Sequence, residues 1–366
     1  MTLKQQLFNR DTVLTLARRI HVADPSFPVE EFTLRALKRF PPLELKQRMT
    51  ALSELLEDYL PDDFEEAVAI FRSALHHNAG EHFVYGAIQE YVMRHGNTDE
   101  HVDLALAAIG EFTSAFSGEF AIRPFLNDYP AKTMAIAMTW AESADLHQRR
   151  LASEGLRPSL PWAPAITLDY KIAATPLDHL YHDPVRYVTR SVANHLNDIS
   201  KFDPDFVLNT LKRWQNEDKQ DTAEFDYIVR HSLRTLIKQG HPGALAMRGF
   251  DLDPDITDHG LHLSADTIAI GDALEMTLTI AANESCRLVI DYIITYQTKS
   301  GRLSDKTYKW TTLDLAAKDT KTITAKRPFV HRSTRTLYPG PHVVTVQING
   351  VRSHQATVML VEGQRE

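Results

Sequence analysis

Cysteine is nearly absent: the chain of 366 residues has one, Cys286. One thiol cannot close an internal disulfide, nor supply a multi-cysteine zinc or iron–sulfur site within one chain. A reducing cytoplasm is the expected setting. Long apolar runs are missing too. None approaches the roughly 20 residues that a membrane span needs, so no membrane partner is expected. The opening MTLKQQLFNRDTVLTLARR interrupts its apolar residues with charges and makes a poor signal peptide. There is no HExxH, no P-loop and no convincing GxGxxG, so neither metal nor cofactor is expected. The histidine pairs His76–His77 and His179/His182 read as surface residues rather than ligands.

What is present is asymmetric. The net charge is −8, which taken alone argues against a polyanionic partner. Residues 54–105, however, hold twelve Asp/Glu against Arg72 and Arg94, a net of −10. Residues 299–335 hold ten Lys/Arg against Asp305, Asp314 and Asp319, a net of +7. Such a split suits an acidic outer surface with a separate basic binding surface, and equally suits unclustered solvated charge.

Two periods divide the chain. Up to about residue 250, segments such as LKQRMTALSELLEDYL, EEAVAIFRSAL and HVDLALAAIGEF repeat apolar residues at steps of three and four, the helical spacing. From about residue 260 the step becomes two. LHLSADTIAI, EMTLTIAA, RLVIDYIITYQ, KTYKWTTLDL, KTITAKR, HVVTVQI and ATVMLVE read as seven strands, many separated by turn residues. This predicts a multidomain protein: an all-α helical repeat over 1–252, then an all-β immunoglobulin-like sandwich over 257–366. Tyr338, just before HVVTVQI, is a candidate for a tyrosine-corner contact.

The helical part repeats weakly. Arg150, Arg190 and Arg230 follow one another at 40-residue intervals, each in a similar segment. That interval falls in the HEAT-like range of helix pairs, which stack into a solenoid with a concave face. Aligning the segments puts Glu119, Glu154, Asn194 and Arg234 in one row. Arg150, Arg190 and Arg230 lie one helical turn before the last three. Carboxylates then sit at one end, with basic and amide groups toward the other. Chance spacing on an ordinary surface face is the plainer alternative.

The stretch RYVTRSVANHLNDISKFDPDFVLNTLKRW, continued by EFDYIVRHSLRTLIKQGHPGALAMRGF, closely resembles the AlkC family of DNA alkylation-repair glycosylases, relatives of AlkD. FAIRPFLNDYPAKTMAIAMTW and LASEGLRPSLPWAP support the match, which together covers roughly 115–250. The sandwich resembles the immunoglobulin-like C-terminal domain of one AlkC subgroup. The resemblance implies a HEAT-like solenoid that grips duplex DNA without a deep base-flipping pocket. It also implies removal of cationic N-alkylated bases, chiefly 3-methyladenine, with 3-methylcytosine left open. The family's acidic and tryptophan residues around the lesion match Glu119, Glu154 and Trp162 here.

Those residue types suit the chemistry. N-alkylation makes the base a good leaving group, and cleavage builds positive charge on the sugar. A fixed carboxylate stabilises that charge and orients water. Glu154 is slightly favoured over Glu119, because it falls between Arg150 and Trp162. Trp162 offers a π face for a cationic base. On composition alone, both glutamates read as solvated and Trp162 as a loop residue capping the core.

Arg150, Arg157, Arg190, Arg230, Arg234 and Lys238 are candidate phosphate contacts, with Asn194, His195 and Asn197 as neutral hydrogen-bond partners. Arg332 and Arg335, in RPFVHRSTR, are candidates on the sandwich. No lysine is placed for a Schiff base, so a monofunctional enzyme is expected; the chain is expected to act as a monomer. A repeat scaffold for another protein and a DNA-binding relative without catalysis are the rival readings.

Overall fold

The computed structural model describes residues 2–75, 80–332 and 335–363. His76 and His77 lie outside the described residues, as do Ser333 and Thr334 of the basic segment. The helical elements are α1 (Leu3–Leu7), α2 (Arg10–Ala23), α3 (Val29–Arg39), α4 (Leu45–Glu57), α5 (Phe64–Leu75), a short 3-10 turn (Phe83–Tyr85), α6 (Gly86–Gly96), α7 (Val102–Phe112), α8 (Arg123–Asp128) and α9 (Pro130–Ala141). They continue as α10 (Leu146–Glu154), α11 (Tyr170–Ala173), α12 (Leu177–Leu180), α13 (Arg186–Ile199), α14 (Pro204–Glu217), α15 (Thr222–Ser232), α16 (Arg234–Gln239) and α17 (Pro242–Met247). The strands are β1 (Ile256–Leu263), β2 (Thr267–Ala269), β3 (Ala273–Ala282), β4 (Cys286–Gln297), β5 (Leu303–Leu315), β6 (Thr320–Pro328), β7 (Gly340–Ile348) and β8 (Val351–Val361).

The chain forms two compact units. One is Met1–Ile199 with Thr210–Ser232; the other is Ser200–Asn209 with Leu233–Glu366. Helix gives way to strand at Ile256, but the second compact unit also takes in α16 and α17. The reason is apolar burial. Leu245 of α17, Phe250 and Ile237 of α16 pack on Val289 of the inner strand β4. The Gln347 amide also donates to the Lys238 carbonyl at 3.0 Å. Gly240 and Gly350, both with positive φ, approach so closely that a Cβ on either would meet the other's Cα within 2.5 Å.

In the helical unit each pair packs on the next: α7 on α9, α9 on α10, α10 on α13, and α13 on α15. The 40-residue repeat is visible as bonds between successive pairs. Ser191 bonds Ser153, 38 residues away; His195 bonds the Ser153 carbonyl, 42 away; and Asn194 meets His231, 37 away. This is the HEAT-like repeat. Helix α13 is enclosed by α10 on one side and α15 on the other, which buries most of its length.

The sandwich pairs a three-stranded sheet, β1-β3-β6, with a five-stranded sheet, β2-β8-β7-β4-β5. β3 sends Leu274, Met276, Leu278 and Ile280 inward at every second residue, as alternation requires. LHLSADTIAI, expected as one strand, is two. β1 pairs antiparallel with β3, and β2 crosses to run parallel to β8 in the other sheet. The step is at Ser264–Asp266, where Ser264 still bonds Glu275 but Asp266 already accepts from Met359. Alternation alone does not reveal such a change of sheet. The tyrosine corner proposed at Tyr338 would draw on backbone just upstream, where residues 333 and 334 lie outside the described residues.

Candidate active site

Three segments of the helical unit build the site. Glu119 sits in the turn before α8, Arg150 and Glu154 on α10, and Trp162 on the loop that follows α10. Helix α10 starts where the Asp145 side chain accepts from the His147 amide, a side-chain N-cap. It stops at Gly155, where a Cβ would fall 2.4 Å from Ile122 Cδ1. Prolines 158, 161 and 164 then keep the chain out of helix.

The charged groups interlock. Arg150 lies 2.9 Å from Glu119 and 3.9 Å from Glu154, and donates to Ser117 Oγ at 2.9 Å. Its guanidinium also lies 4.9 Å from the Tyr187 ring centroid. Glu154 accepts from Arg157 at one oxygen and from Ser191 Oγ, at 2.7 Å, at the other. Arg157 in turn meets Asp198 at 2.8 Å. Burial opposes charge on Arg150 and Arg157, but the adjacent carboxylates prevail and raise both above the ordinary arginine value. Burial lifts Tyr187 against the pull of Arg150, so its phenol remains protonated.

A cleft of about 460 Å³ opens beside this network. Glu119, Arg150, Trp162 and Tyr187 line its polar and aromatic side. Leu45, Met49, Phe83, Phe116 and Phe120 supply an apolar wall. Glu119 is almost buried, yet its second oxygen has no partner among the described residues. Trp162 is 53% exposed, unusual for an indole and suited to stacking on something outside the chain.

The structure thus brings Glu119, Glu154, Arg150 and Trp162 together, and changes several assignments. Glu119, not Glu154, lines the cleft; both Glu154 oxygens are already occupied by neighbours behind it. Arg150 and Arg157 are engaged by carboxylates rather than presented to phosphate. His195 is fully buried, and its imidazole is pushed down to about 4 by burial, so it stays neutral. Asn197 is buried as well. Both lie on α13 where α10 and α15 pack over it.

Arg190 and Arg230 are exposed in the helical unit, and Asn194 is partly buried against His231. Arg234 and Lys238 belong to the other compact unit; Lys238 is exposed and Arg234 partly buried. On the sandwich Arg332 is exposed. Arg335 lies over the Tyr296 ring at 4.1 Å and donates to Tyr308 at 3.0 Å. Sequence reasoning missed Arg123, Asp198 and Tyr187. Arg123 sits in the quoted FAIRPFL segment, and a charged residue before a proline within an apolar stretch was the available signal.

Residues 257–362 match the family model described as the C-terminal Ig-like domain of the uncharacterised protein YhaZ. Across 351 residues the chain is 33% identical to the uncharacterised protein YhaZ of Bacillus subtilis (strain 168), covering 94% of this chain and 96% of that protein. Among solved structures it is similar to the alkylpurine DNA glycosylase AlkC of Pseudomonas fluorescens, bound to DNA containing an abasic site analogue. That similarity has a TM-score of 0.90 at 32% identity, over 99% of this chain and all of the other. The chain belongs to the AlkC family, in the subgroup that carries a C-terminal immunoglobulin-like domain.

Proposed function

We propose that this chain is a monofunctional DNA glycosylase that hydrolyses the N-glycosidic bond of cationic alkylated bases, chiefly 3-methyladenine, in duplex DNA. The convergence of Glu119, Arg150, Trp162 and Tyr187 on one cleft carries this reading. The DNA-bound state of the Pseudomonas fluorescens relative supports DNA as the partner.

An alkylated base departs with the bonding electron pair and needs no strong acid, because it leaves as a neutral molecule. The sugar left behind is oxocarbenium-like. Glu119 supplies a fixed negative charge at the cleft wall, held by Arg150 and Ser117 so that little reorganisation is needed as the sugar charge develops. Its second oxygen is available to orient the water that adds to the sugar and to take its proton. Glu154 acts from behind by holding Arg150 and Arg157. The exposed Trp162 favours a cationic over a neutral base by about 0.5–2 kcal/mol.

The deciding experiment measures 3-methyladenine release from methylated duplex DNA by wild type, Glu119→Gln and Glu154→Gln. The reading expects release by wild type and a large loss in Glu119→Gln. Wild-type levels of release from both variants would remove the carboxylates from the mechanism.

A further inference from the structure

Trp162 is half out of the protein, so its own side-chain packing cannot fix where the indole sits. Its loop has few backbone bonds of its own, among them a turn from the Ala163 amide to the Leu160 carbonyl at 3.3 Å. Something else must hold the backbone. One fully buried side chain does so from both ends of the loop. Arg123, at the start of α8, donates through Nη1 to the carbonyls of Gly155 at 3.2 Å and Arg157 at 2.8 Å. Through Nε it donates to the carbonyl of Pro164. The bonded carbonyls bracket Trp162, two before it and one after.

Two further ties act on the same segment. Lys46 donates to the Trp162 carbonyl at 2.9 Å. Asn127, one turn beyond Arg123 on α8, donates to the Ala165 carbonyl at 3.1 Å and accepts from the Thr167 amide at 2.9 Å. The loop's shape is therefore dictated largely by α8.

We propose that Arg123 is a positioning residue for Trp162: its buried guanidinium clamps the loop carbonyls on both sides of the tryptophan and so sets the indole over the cleft. This rests on the reading that Trp162 touches the lesion. Burying a guanidinium is costly, and an apolar residue of similar volume often serves a core as well or better. Here burial, with Arg157 nearby, pulls Arg123 down to about 10, a direct sign of that cost. What an apolar residue cannot supply is a planar fork reaching separate carbonyls, and lysine lacks that fork as well.

Fluorotryptophan-labelled protein tests the idea by fluorine NMR, with the Trp162 signal assigned from Trp162→Phe. Arg123→Lys should move or broaden that signal while those of Trp140, Trp214 and Trp310 stay in place. Single-turnover base release should fall about 10–100-fold, the scale expected of a small misplacement, with duplex Kd within about threefold. Asn127→Ala should change both in the same direction by less. A folded Arg123→Lys protein with an unchanged Trp162 signal and wild-type release overturns the proposal. If Arg123→Lys does not fold, an unchanged signal and rate in Asn127→Ala overturn it. Trp162→Ala separates the two readings. Undiminished release from that variant removes Trp162 from the chemistry, whereas the fluorine signal still reports whether Arg123 holds the loop.

Discussion

Glu119 and Arg150 are held 2.9 Å apart, carboxylate to guanidinium, on the wall of the cleft. The pairing leaves one Glu119 oxygen without a partner among the described residues and fixes the other. Arg150 is itself restrained by Ser117, Glu154 and the Tyr187 ring. A carboxylate anchored through one oxygen meets a developing cation with the other and need not move.

Glu119→Gln should therefore act on rate rather than affinity. Losing one preorganised charge from such a site costs about 10²–10³ in rate. Single-turnover release of 3-methyladenine should fall by that factor, with duplex Kd within about threefold. A matching loss of affinity and an unchanged rate would instead place Glu119 in DNA binding.

Arg157 gives a contrast in stability. It was expected at the DNA backbone, and the structure buries it between Glu154 and Asp198. Arg157→Met leaves two buried carboxylates facing each other without their shared cation. Breaking a buried pair of this kind costs about 3–5 kcal/mol. Urea unfolding should show that loss, and adding Glu154→Gln should recover part of it. A solvent-facing phosphate contact would leave the unfolding midpoint almost unchanged.

Arg190 should behave in the opposite way, because its side chain is exposed on α13. Arg190→Ala should weaken binding to any duplex and reduce the slope of log affinity against log salt by about 0.9, one phosphate contact. Titrations of two unrelated duplexes over a range of salt check this. A loss confined to one of them would point to base reading.

The change of period near residue 256 and the 40-residue interval were both legible, because each reflects a repeated packing geometry. Glu119, Glu154 and Trp162 were picked out through local segments that resemble the family; Glu119 and Trp162 line one cleft, and Glu154 is joined to it through Arg150. Side-chain direction was not legible on α13. Asn194, His195 and Asn197 look alike as polar residues near one another, yet His195 and Asn197 are buried because α10 and α15 cover two sides of the helix. A helical period shows one apolar face; it does not show a second helix arriving over polar positions. Arg123 was missed for a related reason. Its partners are carbonyls, and a backbone acceptor leaves no mark in a sequence.

Asp291 provides a pH prediction in the sandwich. It lies on the inner strand β4, 2% exposed, opposite Lys309 on β5 and Gln347 on β7. Burial raises its carboxyl from 3.8 to about 6, against the pull of Lys309 and Lys238. The folded value thus exceeds the unfolded one. As pH rises through this interval, the unfolded chain releases its proton first while the folded chain keeps it, so stability falls. Above about 6 the cost is complete, on the order of 3 kcal/mol. Asp291→Asn carries no such charge. The variant should unfold at higher urea than wild type near pH 8, and the two should converge near pH 4. In fluorotryptophan-labelled protein the Trp310 fluorine signal follows the sandwich separately from the helical unit, which matters because a protein of two compact units need not unfold in one step. Buried His195 titrates in an overlapping range, but both proteins carry it, so its contribution cancels in the difference. An Asp291→Asn protein no more stable than wild type near pH 8 would mean that Lys309 and Lys238 compensate the buried charge fully.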